Sequence, residues 1–266
     1  MKVRSSYDRY LFVGRWTLDV FFFSSERWTL GVIEWVMTDF DTAIPPTDLP
    51  QPRTDEAWLN KHHRLTSLVL EASRRPAPEL DIYFLGDSIT EWWPLMAKEV
   101  WDAEFGRLRV LNCGASGDRT ENILYRITHG EFEQITPRVI VLLAGINNLG
   151  GSPQLRAEEL ARGLERIVAT LRAKSPASKI LLLSIFPAGE RSDPIRARIV
   201  ETNKRVAGLA DNSSVFYLDI YAKFLDPNGN LPATNAPDGL HLSANGYQIW
   251  ADAMRPTLQG LLRQML

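Results

Sequence analysis

The sequence predicts an α/β protein, a three-layer α/β/α sandwich built on a parallel five-stranded sheet and preceded by an N-terminal extension. Five apolar runs are near-continuous rather than alternating, as in parallel strands that are covered on both faces. Helical patterns separate these runs, and successive βα units favour a doubly wound sheet. A length of 266 residues fits one such domain together with an extension.

The first 36 residues differ from the rest because they are rich in aromatic side chains. Two Trp-Thr-Leu triplets, at 16–18 and 28–30, flank a polar stretch and predict a small β-hairpin. Two other interpretations stay open. The segment is either an interfacial membrane-binding element or an artefact of start-site choice, with Met37 as the true first residue.

A proline-rich linker follows, since four prolines fall among polar residues between 41 and 56. We therefore assign residues 1–52 to the extension and linker, and residues 53–266 to the α/β domain. The domain opens with a helix predicted at about 54–72. The apolar runs predict strands at 81–85, 108–113, 139–144, 179–185 and 215–220.

Two of the helices carry clear end signals. The helix predicted at about 153–174 has Ser152 as a suitable N-cap and Pro153 at its first position. The last helix is predicted to begin near Ser243, with Pro256 as a kink or a break.

Composition excludes several classes of function. A net charge of −2 and a pI of about 6.1 give no field that attracts nucleic acid or anionic lipid. The single cysteine, Cys113, excludes an intramolecular disulfide and is expected to be buried. No apolar stretch has the about 20 residues that span a bilayer, and the chain lacks a signal peptide, so a cytoplasmic location is expected. Metal-ligand spacing and nucleotide-binding glycine motifs are absent, so neither metal nor cofactor is predicted.

In open parallel sheets the reactive groups gather at the carboxyl ends of the strands. Ser88 directly follows the first apolar run of the domain, where a tight turn can present its hydroxyl group as a nucleophile. The alternative is an N-cap, because Ser88 and Glu91 have the spacing of a capping box. The two roles are compatible, since a nucleophile at a helix start has its backbone N–H free for an oxyanion. Asp87 is interpreted as a hydrogen-bond acceptor that braces the loop.

Three further segments fall at the same predicted edge. Gly117 either supplies an unshielded N–H to a substrate or is a glycine needed for a positive φ. Asn147 follows the third strand, where it either donates to an oxyanion or closes a turn. His241 is the best general base by elimination among four histidines, and Asp238, three residues earlier, can orient it. Taken together, these residues indicate a serine esterase.

These segments resemble the SGNH hydrolases, also called the GDSL lipase/esterase family, and within it the platelet-activating factor acetylhydrolase-like branch. The matching motifs are Gly86-Asp87-Ser88-Ile89, Gly114-Ala115-Ser116-Gly117-Asp118, Gly145-Ile146-Asn147-Asn148 and Asp238-Gly239-Leu240-His241, together with the stretch around Arg126 and Gly130-Glu131. The chain departs from the branch at Ser116, where Gly is common, and at Ile146, where Thr is common. The resemblance implies a flavodoxin-like sheet, Ser88, Asp238 and His241 as the catalytic triad, and Ser88, Gly117 and Asn147 as the oxyanion hole.

The function expected from these residues is hydrolysis of short-chain, acetyl-like esters through an acyl-enzyme on Ser88. Ile89, Ile146 and Leu240 adjoin catalytic residues, and their bulk favours a small acyl pocket. Trp92 and Trp93 either stack on the leaving group or pack in the core. A carbohydrate O-acetyl esterase and a non-catalytic binding protein stay open as alternatives. The expected partner is a small-molecule ester, and family resemblance implies a homodimer.

Overall fold

The computed structural model describes residues 17–24, 27–34, 46–74, 79–133, 135–151 and 155–264. The chain divides into two compact units, Met1–Ile44 and Pro45–Leu266. The interpretations that depend on Met37 and on the start of the chain lie outside the described residues.

The first unit contains the predicted hairpin. Strands β1 (Thr17–Ser24) and β2 (Arg27–Glu34) pair antiparallel. Their register joins Ser24 to Arg27 at one end and Thr17 to Glu34 at the other. Thr17 and Leu18 of the first triplet and all of the triplet at 28–30 fall within these strands, whereas Trp16 lies outside the described residues.

The second unit is built on a sheet of five parallel strands, which confirms the predicted fold class. The strands are β3 (Glu79–Gly86), β4 (Val110–Gly114), β5 (Thr136–Leu143), β6 (Lys179–Leu183) and β7 (Val215–Leu218). Their order across the sheet is β4-β3-β5-β6-β7, so of these five strands only β4 and β5 are consecutive in sequence but not neighbours, and their connection passes β3. Ile82, Tyr83, Phe84 and Leu85 are all fully buried. Because successive residues of a strand face opposite sides, β3 is covered on both faces.

The second unit also has nine described α-helices. They are α1 (Glu56–Ser73), α2 (Ser88–Glu91), α3 (Trp93–Met96), α4 (Lys98–Phe105), α5 (Thr120–Thr128), α6 (Ile146–Gly150), α7 (Ala157–Lys174), α8 (Pro194–Val206) and α9 (Ala244–Arg263). Helix α7 contacts α5 and α8, whereas α4 contacts α9. None of the described helices is long and apolar enough to cross a membrane.

Two predicted helix ends differ from the structure. Helix α7 begins at Ala157 with Arg156 as its N-cap, and the Arg156 N–H donates to Glu159 Oε2 at 2.8 Å. The expected cap residues Ser152 and Pro153 lie outside the described residues. Helix α9 continues through Pro256, so a break at the proline is wrong, whereas a kink stays a prediction; buried Met254 and Leu258 hold the helix against the core on both sides of the proline.

Candidate active site

Ser88 stands at the junction of β3 and α2, where the chain turns tightly. A Cβ on Gly86 would lie 2.2 Å from Thr90 Oγ1 and 2.4 Å from the Leu143 carbonyl oxygen, so this turn requires glycine. The N-cap of α2 is Asp87, whose Oδ1 accepts the Ile89 N–H at 3.0 Å. The predicted capping box is therefore wrong, and the interpretation of Asp87 as a bracing acceptor is confirmed. Because Asp87 caps the helix, the Ser88 hydroxyl is left for another role.

The Ser88 hydroxyl meets the predicted base. Ser88 Oγ lies 3.0 Å from His241 Nε2, and His241 Nδ1 lies 2.7 Å from Asp238 Oδ2. The other carboxylate oxygen, Oδ1, accepts the backbone N–H groups of His241 at 2.7 Å and Leu240 at 2.9 Å. Asp238 therefore holds both the ring and the backbone of the histidine.

The charge of Asp238 is favoured by these contacts. Partial burial alone would raise the pKa of its carboxyl, but the hydrogen bonds from the His241 ring and from the two backbone N–H groups hold that pKa below its ordinary value. On its other side the imidazole stacks on Trp92, with ring centroids 4.2 Å apart and planes 29° apart. The arrangement keeps an ionised carboxylate beside a fixed imidazole.

Gly117 and Asn147 follow the ends of β4 and β5, the two strands that flank β3 in the sheet. Gly117 has a φ of +80°, a left-handed conformation that favours glycine. Asn147 Nδ2 donates to the Asp118 carbonyl oxygen at 2.9 Å, which fixes the side-chain amide against the Gly117 loop. The neighbouring Asn148 is fully buried and accepts the Thr120 N–H at 3.0 Å. Asn148 thus joins the start of α6 to the start of α5.

A cavity of about 450 Å³ opens beside these groups. Its lining includes Gly117, Arg119, Ile146, Asn147, Asp193, Ile195, Asp238 and Leu240. Of the residues predicted to form the substrate pocket, Ile146 and Leu240 therefore line this cavity.

The other predicted pocket residues lie elsewhere. Ile89 is 3% exposed, packs in the core and does not line the cavity, because the first turn of α2 directs its side chain inward. Trp92 stacks on His241 instead, and Trp93 is fully buried, so core packing is the correct alternative for Trp93.

Asp87 has an unusual environment for a carboxyl group. It is 1% exposed, and its Oδ2 has no hydrogen-bond partner among the described residues. Burial raises its pKa to about 7, and the nearby charge of Asp118 adds to the shift, although the Ile89 N–H opposes it.

This shift makes stability depend on pH. Between the ordinary value of 3.8 and about 7 the folded protein holds a proton that the unfolded chain releases, so stability from this group falls as pH rises. We expect Asp87→Asn to remove a negative slope on the order of 1 kcal/mol per pH unit in that window. Denaturant unfolding of both proteins from pH 4 to 8 measures this slope. Identical slopes in the two proteins would show that Asp87 is ionised throughout.

A network of buried charged side chains was not predicted from the sequence. Arg126, Asp118 and Glu131 all have fully buried side chains. Arg126 donates to Asp118 Oδ2 at 2.6 Å and to the carbonyl oxygens of Cys113 at 3.1 Å and Gly86 at 3.2 Å, and it also pairs with Glu131. Burial would lower the pKa of Arg126, but the two carboxylates raise it. The family resemblance marked Arg126 and Glu131 without giving them a role.

This guanidinium joins the ends of β3 and β4 to the loop that carries Gly117. Trp58 Nε1 adds a bond of 2.6 Å to Asp118 Oδ1. The network therefore fixes two of the segments that carry candidate site residues.

Comparison with known proteins places these motifs in a family. The profile of the GDSL-like lipase/acylhydrolase family matches residues 84–249. Over 229 residues the chain is 33% identical to platelet-activating factor acetylhydrolase IB subunit alpha2 of Rattus norvegicus, covering 86% of this chain and 93% of the rat protein. It is 32% identical over 228 residues to the alpha1 subunit of Bos taurus, covering 85% of this chain and 93% of the bovine protein.

Solved structures share the fold. A GDSL-like lipase from Bacteroides thetaiotaomicron matches with a TM-score of 0.64 at 19% identity, covering 75% of this chain and 97% of the other. An acetylxylan esterase from Geobacillus stearothermophilus matches with a TM-score of 0.57 at 21% identity, covering 67% of this chain and 94% of the other.

Proposed function

Since this chain belongs to the GDSL-like lipase/acylhydrolase family and is a carboxylic ester hydrolase, we propose that it cleaves short-chain, acetyl-like esters through an acyl-enzyme on Ser88. The observation that carries the proposal is the continuous chain of contacts from Ser88 Oγ through His241 to Asp238, at 3.0 and 2.7 Å. These distances are those expected of a nucleophile, a base and an orienting carboxylate.

In the proposed mechanism His241 Nε2 removes the Ser88 proton as Oγ attacks the ester carbonyl carbon. The resulting imidazolium is stabilised by Asp238 and protonates the leaving alkoxide, which releases the alcohol. A water molecule, deprotonated by the same imidazole, then attacks the acyl-enzyme and releases the acid. The N–H groups of Ser88 and Gly117 and the Asn147 amide donate to the oxyanion in both steps.

Removing the Asn147 amide tests its proposed role as an oxyanion donor. We expect Asn147→Ala to lower kcat by about 10²–10³, because the amide stabilises charge that develops only in the transition state. Steady-state hydrolysis of p-nitrophenyl acetate measures the change, and Asn60→Ala, an exposed position on α1, is the matched control. A loss smaller than about threefold would remove Asn147 from the oxyanion hole.

The acyl preference rests on the walls of the cavity and on the relatives. Ile146 and Leu240 bring branched side chains to the cavity beside Gly117 and Asn147. The rat and bovine relatives are named acetylhydrolases. We expect hydrolysis of p-nitrophenyl esters to fall steeply from acetate and butyrate to octanoate and palmitate. Equal or higher kcat/KM for palmitate would contradict a short-acyl preference.

A carbohydrate O-acetyl ester is the second candidate substrate. Arg119 and Asp193 both line the cavity, and Ile195 adds apolar surface to it. Hydroxyl groups of a sugar can accept hydrogen bonds from a guanidinium such as that of Arg119 and donate to a carboxylate such as that of Asp193. A kcat/KM for acetylated xylo-oligosaccharides well above that for p-nitrophenyl acetate would favour this candidate. Failure of a fluorophosphonate to label Ser88 would instead support a non-catalytic binding protein.

Homodimerisation, which the family resemblance implies, stays a prediction.

A further inference from the structure

Gly117 belongs to a turn whose geometry determines where its N–H points. The Asp118 N–H donates to the Ala115 carbonyl oxygen at 3.1 Å, which closes a four-residue turn with Ser116 and Gly117 at its centre. Gly117 has a φ of +80°, while Ser116 has no positive φ. This combination is a type II turn.

Type I and type II turns differ in the orientation of their central peptide. In this turn that peptide joins Ser116 to Gly117, and it carries the proposed oxyanion donor. Glycine adopts both conformations readily, so Gly117 by itself does not select the orientation. Another group must hold the peptide with its N–H facing the serine.

Arg53 makes the contact that selects this orientation of the Ser116–Gly117 peptide. Its Nη1 donates to the Ser116 carbonyl oxygen at 2.9 Å. In a trans peptide the C=O and the following N–H point in opposite directions. The bond that holds the Ser116 carbonyl oxygen therefore also directs the Gly117 N–H away from Arg53.

Both ends of this arrangement are anchored. Arg53 Nε donates to Asp55 Oδ2 at 2.9 Å, and Asp55 Oδ1 accepts the Trp58 N–H at the start of α1 at 2.9 Å. On the other side Glu91 Oε2 accepts the Ser116 N–H at 2.7 Å and the Ser116 hydroxyl at 2.6 Å. Serine at this position, the departure from the common glycine, thus supplies an additional bond that fixes the turn.

The guanidinium also lies against Gly117 itself. A Cβ at Gly117 would stand 2.6 Å from Arg53 Nη1. A charged donor on the carbonyl oxygen polarises the peptide and strengthens the N–H at its other end as a donor. Arg53 precedes the stretch matched by the family profile, residues 84–249.

We propose that Arg53 is a positioning residue for catalysis, which holds and polarises the Ser116–Gly117 peptide so that the Gly117 N–H serves the oxyanion. This inference rests on the proposed function. Without the guanidinium the Ser116–Gly117 peptide can rotate so that its N–H points away from the oxyanion. The oxyanion then loses one donor while the substrate still binds.

The test compares Arg53→Met, Arg53→Ala and Arg53→Lys in the full chain with p-nitrophenyl acetate as substrate. We expect Arg53→Met to lower kcat at least tenfold, with KM changed less than about twofold, because the contact acts in the transition state. Arg53→Lys keeps one donor and should recover part of the rate. Guanidinium ion at millimolar concentration should raise kcat of Arg53→Ala and leave the wild type unchanged. Arg74→Met, at an exposed position just after α1, is the matched control.

The outcomes separate this inference from the proposed function. A wild type without Ser88-dependent hydrolysis would overturn both. An active wild type with more than a third of its kcat left in Arg53→Met would overturn only the role of Arg53. A third outcome is that kcat falls only in proportion to the fraction of enzyme that fluorophosphonate labels, and that guanidinium does not restore it. This result would show that Arg53 only stabilises the fold, and it would also overturn the inference.

Discussion

Replacing Ser88 with alanine is expected to lower kcat for p-nitrophenyl acetate by on the order of 10⁶, the loss seen when a triad nucleophile is removed. Without Oγ no acyl-enzyme forms, and His241 Nε2 has no proton to take. The side chain is small and the residue is 6% exposed, so its replacement leaves packing nearly unchanged. The free energy of unfolding should therefore change by less than about 1 kcal/mol.

Parallel assays separate chemistry from stability. The wild type, Ser88→Ala and the control Ser67→Ala, an exposed serine on α1, are compared in hydrolysis, fluorophosphonate labelling and thermal unfolding. Only Ser88→Ala should lose both turnover and labelling while its Tm is kept. If Ser88→Ala turns over substrate at the wild-type rate, the proposed nucleophile is wrong.

The largest effect on stability is expected at Arg126. Arg126→Met fills a similar volume but leaves the buried carboxylates of Asp118 and Glu131 without their cation. It also leaves the carbonyl oxygens of Cys113 and Gly86 without this donor. Breaking a buried ion pair from one side costs about 3–5 kcal/mol. For a domain of this size that corresponds to a fall in Tm of about 10 °C.

A surface ion pair provides the comparison. Arg255 pairs with Glu104, but its side chain is 36% exposed, so Arg255→Met should cost less than about 1 kcal/mol. Urea unfolding of the two variants and the wild type gives both differences. Equal destabilisation by the two substitutions would mean that the Arg126 network adds nothing beyond a surface pair.

The sheet and much of the candidate site follow from local sequence pattern. Apolar runs mark parallel strands because both faces of this sheet are covered, and the edge where the strands end brings Ser88, Gly117 and Asn147 together. Asp238 and His241 are three residues apart, so their contact is also local. These features need no knowledge of how distant segments pack.

What the sequence leaves open depends on contacts between distant segments. Ser88 and Asp87 both suit an N-cap, and only the path of the chain after Gly86 makes Asp87 the acceptor. Ile89 adjoins the nucleophile yet points into the core, because the helical turn and not proximity in sequence sets its direction. Arg53 reaches Ser116 across 63 positions of sequence, and no periodicity encodes such a pairing.

The pairing of His241 with Asp238 on a single short loop has a consequence for how the site can fail. Asp238 binds the ring and the backbone of its own histidine, so a displacement of the loop carries the base and its carboxylate together. The distance that changes is the one to Ser88, which stands on the separate β3–α2 junction. In the proposed mechanism, loss of the Ser88–His241 contact would therefore deprive the serine of its base while Asp238 stays hydrogen-bonded to His241.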